Sequence, residues 1–331
     1  MIDRSFADDD YARVREVERI LIPHPQFEAV VERLQHVLDL SRHGAEPRHT
    51  LLVGESGTGK TWIARYIRSV LPESENDGIH TKPVLVVETP TSPTLKSLAQ
   101  AILVALGDPL ASLGNAEVKR LRALVLIRQC GVQMLIVDEL QHFLDHGAHN
   151  SPQSVADWLK NFVEDARIPC LLMGLPRSTA ILTLNEQLRR RFSARIELRA
   201  FSIESEDEEI EFRTVLNALD EMLPCRTRSG LAEPETARRI YMATNGLIGY
   251  VRRLTTGAFE LMVAANRPSI DRSLLQEAFV QEIWRGGQDE LNPFHPKFSF
   301  RRLDQPGEPF APTSRRGQTR GTRRHSGGIF S

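Results

Sequence analysis

Short apolar runs alternate along the chain with longer stretches in which apolar residues recur every three or four positions. The runs are Thr50 to Gly54, Pro83 to Glu88, Val132 to Asp138, Pro169 to Gly174 and Arg195 to Leu198. Each has strand length and is followed by a loop and a helical pattern, so each reads as a buried strand. That alternation predicts a parallel sheet of five strands with helices on both faces. Near residue 204 the pattern changes. Glu204-Ser-Glu-Asp-Glu-Glu-Ile-Glu211 places acids at the positive end of a helix dipole, and from there to about Trp284 only helices are expected. The acidic run reads as a solvated first turn, with an acidic docking patch as the alternative. No repeat of fixed period is present.

Beyond Gly286 proline and glycine accumulate, and Thr313 to Ser331 carry five arginines and no acid. Such a segment holds too little apolar area to offset chain entropy, so a disordered basic tail is expected, touching phosphates or simply solubilising the end. The expected organisation is a helical lead-in over 1–45, an α/β core over 46–203, a small all-α lid over 204–285 and an extended tail over 286–331.

Composition narrows the function classes. With 331 residues, about two domains are expected. Hydrophobic residues at 41% and charged residues at 26% describe a globular chain. Lys and Arg number 42 against 43 acids, a net charge of −1, which excludes a uniformly basic coat but leaves a local basic surface open. Cys130, Cys170 and Cys225 have no Cys-x-x-Cys spacing, so neither a disulfide framework nor a thiolate zinc site is supported and a reduced, cytoplasmic setting is expected. The acidic start is unlike a secretory signal, and no segment approaches 18 unbroken apolar residues; no membrane partner is expected.

The chemistry lies in two motifs. Gly54-Glu55-Ser56-Gly57-Thr58-Gly59-Lys60-Thr61 has the P-loop pattern and stands between a strand and a helix, where the mechanism needs it. Its glycines let the backbone wrap a phosphate, whose charge the amide N–H groups and helix dipole then hold. Lys60 would reach the β and γ phosphates and the Thr61 hydroxyl would ligate Mg²⁺. The pattern arises by chance in roughly one chain of this length per hundred. Met134 to Glu139 is the second motif, a buried strand ending in two acids. There Asp138 can hold the Mg²⁺ shell while Glu139 orients and deprotonates the attacking water.

With the additional strand Pro83 to Glu88 between them, these motifs resemble the P-loop ATPases that include the AAA+ group. No Asn-Lys-x-Asp is present, so ATP is favoured over GTP. The resemblance places Ile20, Leu21, Ile22, Pro23 and His24 at an adenine pocket, with Ile22 and His24 as the candidates, for which a helix-entry staple is an equal account, and adds Trp62 to the ATP-binding set. It also implies an arginine delivered in trans by a neighbouring subunit. Arg191 is favoured, with Arg190 and Arg189 as alternates and a dipole-stabilised basic helix end as the plain reading. Two sensors depart from the AAA+ pattern. After Gly174-Leu175-Pro176 no polar sensor follows, with Arg177 as a substitute. In the lid Gly249 takes the place of the sensor-2 arginine, with Arg252 or Arg253 a turn away. Slow, regulatory hydrolysis is the expected consequence.

Ile22 to Leu34, Pro83 to Glu88, Gly131-Val-Gln-Met-Leu-Ile-Val-Asp-Glu-Leu-Gln-His142, Arg167-Ile-Pro169, Gln187-Leu-Arg-Arg-Arg-Phe192 and Gly246-Leu-Ile-Gly249 together resemble the TniB/TnsC family of transposition ATPases over about residues 20 to 285. The resemblance implies a regulator that binds ATP, assembles as rings or helical filaments on double-stranded DNA, and passes target DNA to a DDE transposase, often with a TniQ-type adaptor. DNA contact is expected mostly at phosphates, since no zinc finger or clear helix-turn-helix signature occurs. Thr91, Ser92, Thr94 and Lys96 in the loop after the second strand, and Lys119, Arg120 and Arg122 on the next helical segment, are the candidates. Ordinary polar surface is the alternative at each. Competing readings are a secretion-type ATPase of the ExeA kind, a nucleotide-dependent scaffold with negligible hydrolysis, and a replication initiator or loader.

Overall fold

The computed structural model describes residues 8–76, 79–145 and 151–312. The chain opens with α1 (Asp8–Arg19) and α2 (Pro25–Arg42), the latter started by a proline in its first turn and by His24, whose Nδ1 accepts the Phe27 N–H. The strand β1 (Thr50–Gly54) leads through the P-loop into α3 (Lys60–Val70). A short antiparallel hairpin, β2 (Ser74–Asn76) and β3 (Ile79–Thr81), stands outside the main sheet and has no counterpart in the sequence expectations. Its six residues carry no apolar run of the kind that marks the other strands. Then come β4 (Val84–Glu88), α4 (Leu95–Leu106), α5 (Ala116–Gln129) and β5 (Met134–Asp138). A 3₁₀ turn over Leu140–Leu144 is followed by α6 (Pro152–Ala166), β6 (Cys170–Gly174), α7 (Thr179–Leu184), α8 (Glu186–Arg191) and β7 (Ala194–Leu198).

The main sheet runs β4-β5-β6-β1-β7 and every pair in it is parallel. All five expected strands are present, within two residues of the expected bounds. Side-chain alternation divides them between two cores. Leu51, Val53, Leu85, Val87, Leu135, Val137 and Leu172 face α4 to α8, whereas Leu52, Val84, Met134, Ile136, Leu171 and Met173 face α2 and α3. Fully burying one such side chain contributes about 1.5–3 kcal/mol.

Helices α9 (Glu206–Met222), α10 (Pro234–Thr244), α11 (Ile248–Ala264) and α12 (Arg272–Ala278) form the lid around a third core. The acidic run is the capped start of α9: the Glu208 carboxylate accepts from Ser205 N and Glu204 N, and Ser205 Oγ accepts from Glu208 N. Two stretches pack differently from the expected organisation. Val17 of α1 and Ile22 belong to the lid core, so the lead-in divides between lid and sheet. Residues 286–312, expected to be extended, fold back onto the lid and bury Phe294, Phe298 and Leu303. Three apolar side chains among prolines and glycines supply the area that composition alone obscured. The arginine-rich stretch Thr313–Ser331 lies outside the described residues. Among those described, no helix is long and apolar enough to cross a membrane.

Candidate functional site

β1 ends beneath the P-loop. Gly57 and Gly59 adopt φ of 86° and 96°, left-handed conformations that cost an L side chain roughly 1–2 kcal/mol. The buried Thr58 pins the loop, its hydroxyl donating to Glu55 O at 2.8 Å, while Glu55 and Ser56 are exposed. Lys60 is only 7% exposed, and its Nζ donates to Gly54 O at 2.6 Å and Glu55 O at 2.9 Å. Burial pushes the Lys60 pKa down, while the carboxylates of Asp138, Glu139 and Glu55 oppose that shift.

β5, two strands away from β1, presents the paired acids at the same sheet edge. Asp138 is 8% exposed and accepts Glu139 N–H on Oδ1 at 2.8 Å. Burial raises its pKa, the charges of Glu139 and Glu88 add to the rise, and the Glu139 amide and Lys60 work the other way. Glu139 sits at φ 58°, ψ 36°, a strained conformation for a side chain of its size. It faces a cavity of about 390 Å³ together with Ser56, Gly57, Gly59, Lys60, Thr61, Trp62, Arg65 and Gln141. Lys60 and Thr61 from the start of α3 and Glu139 from the end of β5 thus converge on one cavity. Gln141, Arg65 and the tight lid contact described next were missed from sequence. The only signal for Gln141 was its place in the Asp-Glu-Leu-Gln string.

The lid closes on this loop. Gly249 N donates to Gly57 O at 2.8 Å, and a Cβ at 249 would lie 3.0 Å from both the Cα and the O of Gly57. The arginine expected at this place therefore has no room. Arg252, one turn later, donates to Glu18 O at 3.0 Å and to Ile20 O, and its guanidinium lies 3.7 Å from the Trp62 ring centroid. Burial, with the neighbouring Arg65 charge, pushes its pKa down to about 10. Arg253 pairs with Glu282. Arg252, Trp62, Arg65, Tyr66 and Leu21 line a second cavity of about 800 Å³ that shares Trp62, Arg65 and Gly249 with the first. Ile22 and His24 are buried away from it: Ile22 is in the lid core, and His24 caps α2 between Phe27 and Phe201. Of the expected run Leu21 lines the wall, together with Arg19.

The three finger candidates lie on α8, just before β7, at the amino edge of the sheet. Thr50 of β1 is in register with Ala194 and Gly54 with Leu198. The arginines thus stand about 13 Å of strand away from the P-loop. Arg191 is held by Glu164 at 3.0 Å, Arg190 by Glu186 at 2.6 Å, and Arg189 is exposed.

The expected DNA contacts divide. Thr91, Ser92 and Lys96 are exposed beyond the carboxyl end of β4, and Thr94 is spent as the cap of α4, in a capping box with Ser97. Lys119 is 0% exposed, its ammonium bonded to Gln100 Oε1 at 3.1 Å and to Ala111 O, and so is turned inward. Arg120 is held between Glu117 and Asp165, and Arg122 donates to Leu110 O and pairs with Asp108. The solvent-facing side of α5 carries Val118, Leu121 and Val125, which are exposed while Lys119 is buried.

A parallel sheet of order β4-β5-β6-β1-β7, a P-loop on its central β1, paired acids on β5 and a helical lid define the AAA+ class of P-loop fold. Within it the chain belongs to the TniB family: the family model for the bacterial TniB protein matches residues 13–202, more than half of the sequence. The ORC1-type DNA replication protein 1 of Aeropyrum pernix is 32% identical over 121 residues, 35% of this chain and 30% of the relative. The match thus spans about a third of either protein. In three dimensions the chain is similar to the Aeropyrum pernix ORC2 protein in ADPNP–ADP complexes, with 17% identity, a TM-score of 0.59, and 83% and 73% of the two chains covered. It is similar also to Cdc6p of Pyrobaculum aerophilum, with 14% identity, a TM-score of 0.60, and 84% and 73% covered.

Proposed function

We propose that this chain is an ATP-dependent, DNA-binding regulator of transposition that assembles on double-stranded target DNA and recruits a DDE transposase, with a TniQ-type adaptor as intermediary. Membership of the TniB family supports the biological setting. The observation that carries the mechanism is the separation of Lys60 from Arg191 by the length of the sheet. One copy cannot bring both groups to one triphosphate, so the site is completed between neighbours. Such a head-to-tail contact extends as a filament or closes as a ring.

In this reading the P-loop amides and Lys60 hold the phosphates, and Trp62, flanked by Arg65 and Arg252, offers the base a face in the larger cavity. Thr61 and Asp138 supply the hard oxygen donors that suit Mg²⁺, an ion that keeps waters and phosphate oxygens for the rest of its shell. Bound there, it would neutralise charge on the phosphates. Glu139 takes a proton from water while the water oxygen bonds to the γ phosphorus and the bond to ADP breaks. Turnover is slow and serves to release the assembly. Thr91, Ser92 and Lys96 are the retained DNA candidates.

A second reading, a replication initiator or loader, draws on the partial likeness to an ORC1-type protein. Electron microscopy of the protein with duplex DNA and a slowly hydrolysed ATP analogue is the test. Rings or helical coats that vanish with ADP are expected, and a monomer indifferent to DNA would end the proposal. Dependence of transposase-mediated integration on this chain separates transposition from replication loading.

A further inference from the structure

The carboxamide of Gln141 occupies an unusual position. The residue lies in the 3₁₀ turn after Glu139 and is 4% exposed. Its Oε1 accepts the Leu175 N–H at 3.0 Å, and its Nε2 donates to Glu139 Oε2. The orientation of the amide is fixed by chemistry: a main-chain N–H can face only the oxygen, so the NH₂ must face the carboxylate. Gln141 therefore ties the end of β5 to the end of β6 through the acid that faces the P-loop.

The space it fills is defined by a missing side chain. β6 ends at Gly174, where a Cβ would fall 2.8 Å from Gln141 Oε1 and 2.4 Å from Ser178 Oγ. No side chain can therefore project from the end of β6 toward the cavity while Gln141 is in place. The same junction is braced a second time. Asp145 accepts from Arg177 at 2.7 Å and lies 3.1 Å from His142 Nδ1, so Arg177, the expected sensor substitute, is bound to the loop after β5.

We propose that Gln141 is the positioning residue for Glu139 and does the work of the polar group that β6 lacks. It fixes Oε2, which leaves Oε1 for the attacking water, and it transmits displacements of the Leu175–Arg177 loop to the hydrolytic carboxylate. The inference rests on the ATPase reading above. Charge-assisted bonds of this kind are roughly twice as strong as neutral ones, so one donor suffices to select a rotamer.

Two variants separate positioning from structure. Gln141→Glu keeps an oxygen for Leu175 N but offers Glu139 no donor; Gln141→Leu removes both contacts. Steady-state ATP hydrolysis with duplex DNA is measured for each beside wild type, with thermal melting as the folding control. For Gln141→Glu, kcat is expected to fall at least about tenfold, as for the loss of a general-base contribution, while KM for ATP and the melting temperature stay near wild type. Gln141→Leu falls as far in kcat and melts lower. Wild-type turnover in Gln141→Glu, or a rise in KM that accounts for the whole loss, overturns the inference and leaves the ATPase reading standing. A wild-type protein that does not hydrolyse ATP overturns both.

Discussion

At the scale of single residues, burial decides which charges this protein can use. Lys119 and Lys96 both lie near the expected DNA loop, yet only Lys96 faces solvent; the ammonium of Lys119 serves as a bracket between α4 and α5. Two histidines are likewise removed from solution chemistry. His24 and His49 are each pushed down from 6.5 to about 4, His24 by burial, and His49 by burial with the Arg191 charge beside it. In the unfolded chain they take up protons near pH 6.5, whereas in the folded chain they stay neutral until about pH 4. The unfolded state therefore binds more protons between those values. The stability they contribute is complete above pH 6.5 and is lost as pH falls toward 4, by up to about 3 kcal/mol for each histidine. Thermal melting followed from pH 7 to 4 should show this slope, and His24→Asn, which can still cap α2, should reduce it. A variant slope equal to wild type would remove His24 from the account.

At the scale of elements, the joints between strands and helices carry the site. The boundaries of the five main strands were legible because each is a continuous or alternating apolar run; the hairpin β2–β3 was not, because it pairs through backbone bonds and a Ser74–Thr81 hydroxyl contact with no apolar run to mark it. The joint between core and lid is the clearest mechanical element. Gly246 follows α10 at φ 70°, accepts the Phe201 N–H at 2.8 Å, and has Phe201 O only 2.1 Å from where a Cβ would stand. Gly246→Ala must therefore both strain the backbone and push the lid from the core. A loss of roughly 1–3 kcal/mol from the backbone alone is expected, with the clash adding to it. Denaturant unfolding measures it, and a change under 0.5 kcal/mol, the usual range for a neutral surface substitution, would show that the joint yields freely.

At the scale of the whole molecule, the P-loop and Arg191 stand at opposite edges of the sheet, so the site proposed here is completed by another copy. Lys60→Ala and Arg191→Ala should each abolish most ATP turnover, the arginine change by about 10³-fold or more if the finger acts as in related phosphoryl transfer. Mixed in equal amounts, the two inactive proteins should recover activity. A P-loop from one variant then meets the finger of the other at about a quarter of randomly formed head-to-tail interfaces. No recovery in the mixture, with both proteins folded, would place the finger elsewhere.

The sequence by itself determined the sheet, the P-loop and the paired acids, since each follows from local apolar runs and from residue types whose chemistry needs fixed spacing. It also determined the family resemblance. Only the tertiary structure decided which long polar side chains reach solvent, that residues 286–312 cover the lid, and that Gly249 rests on Gly57. It also decided that Gln141 fills the room left by Gly174. These are contacts between elements far apart in the chain. Their outcome depends on distances of a few ångströms between packed surfaces, which no local pattern encodes.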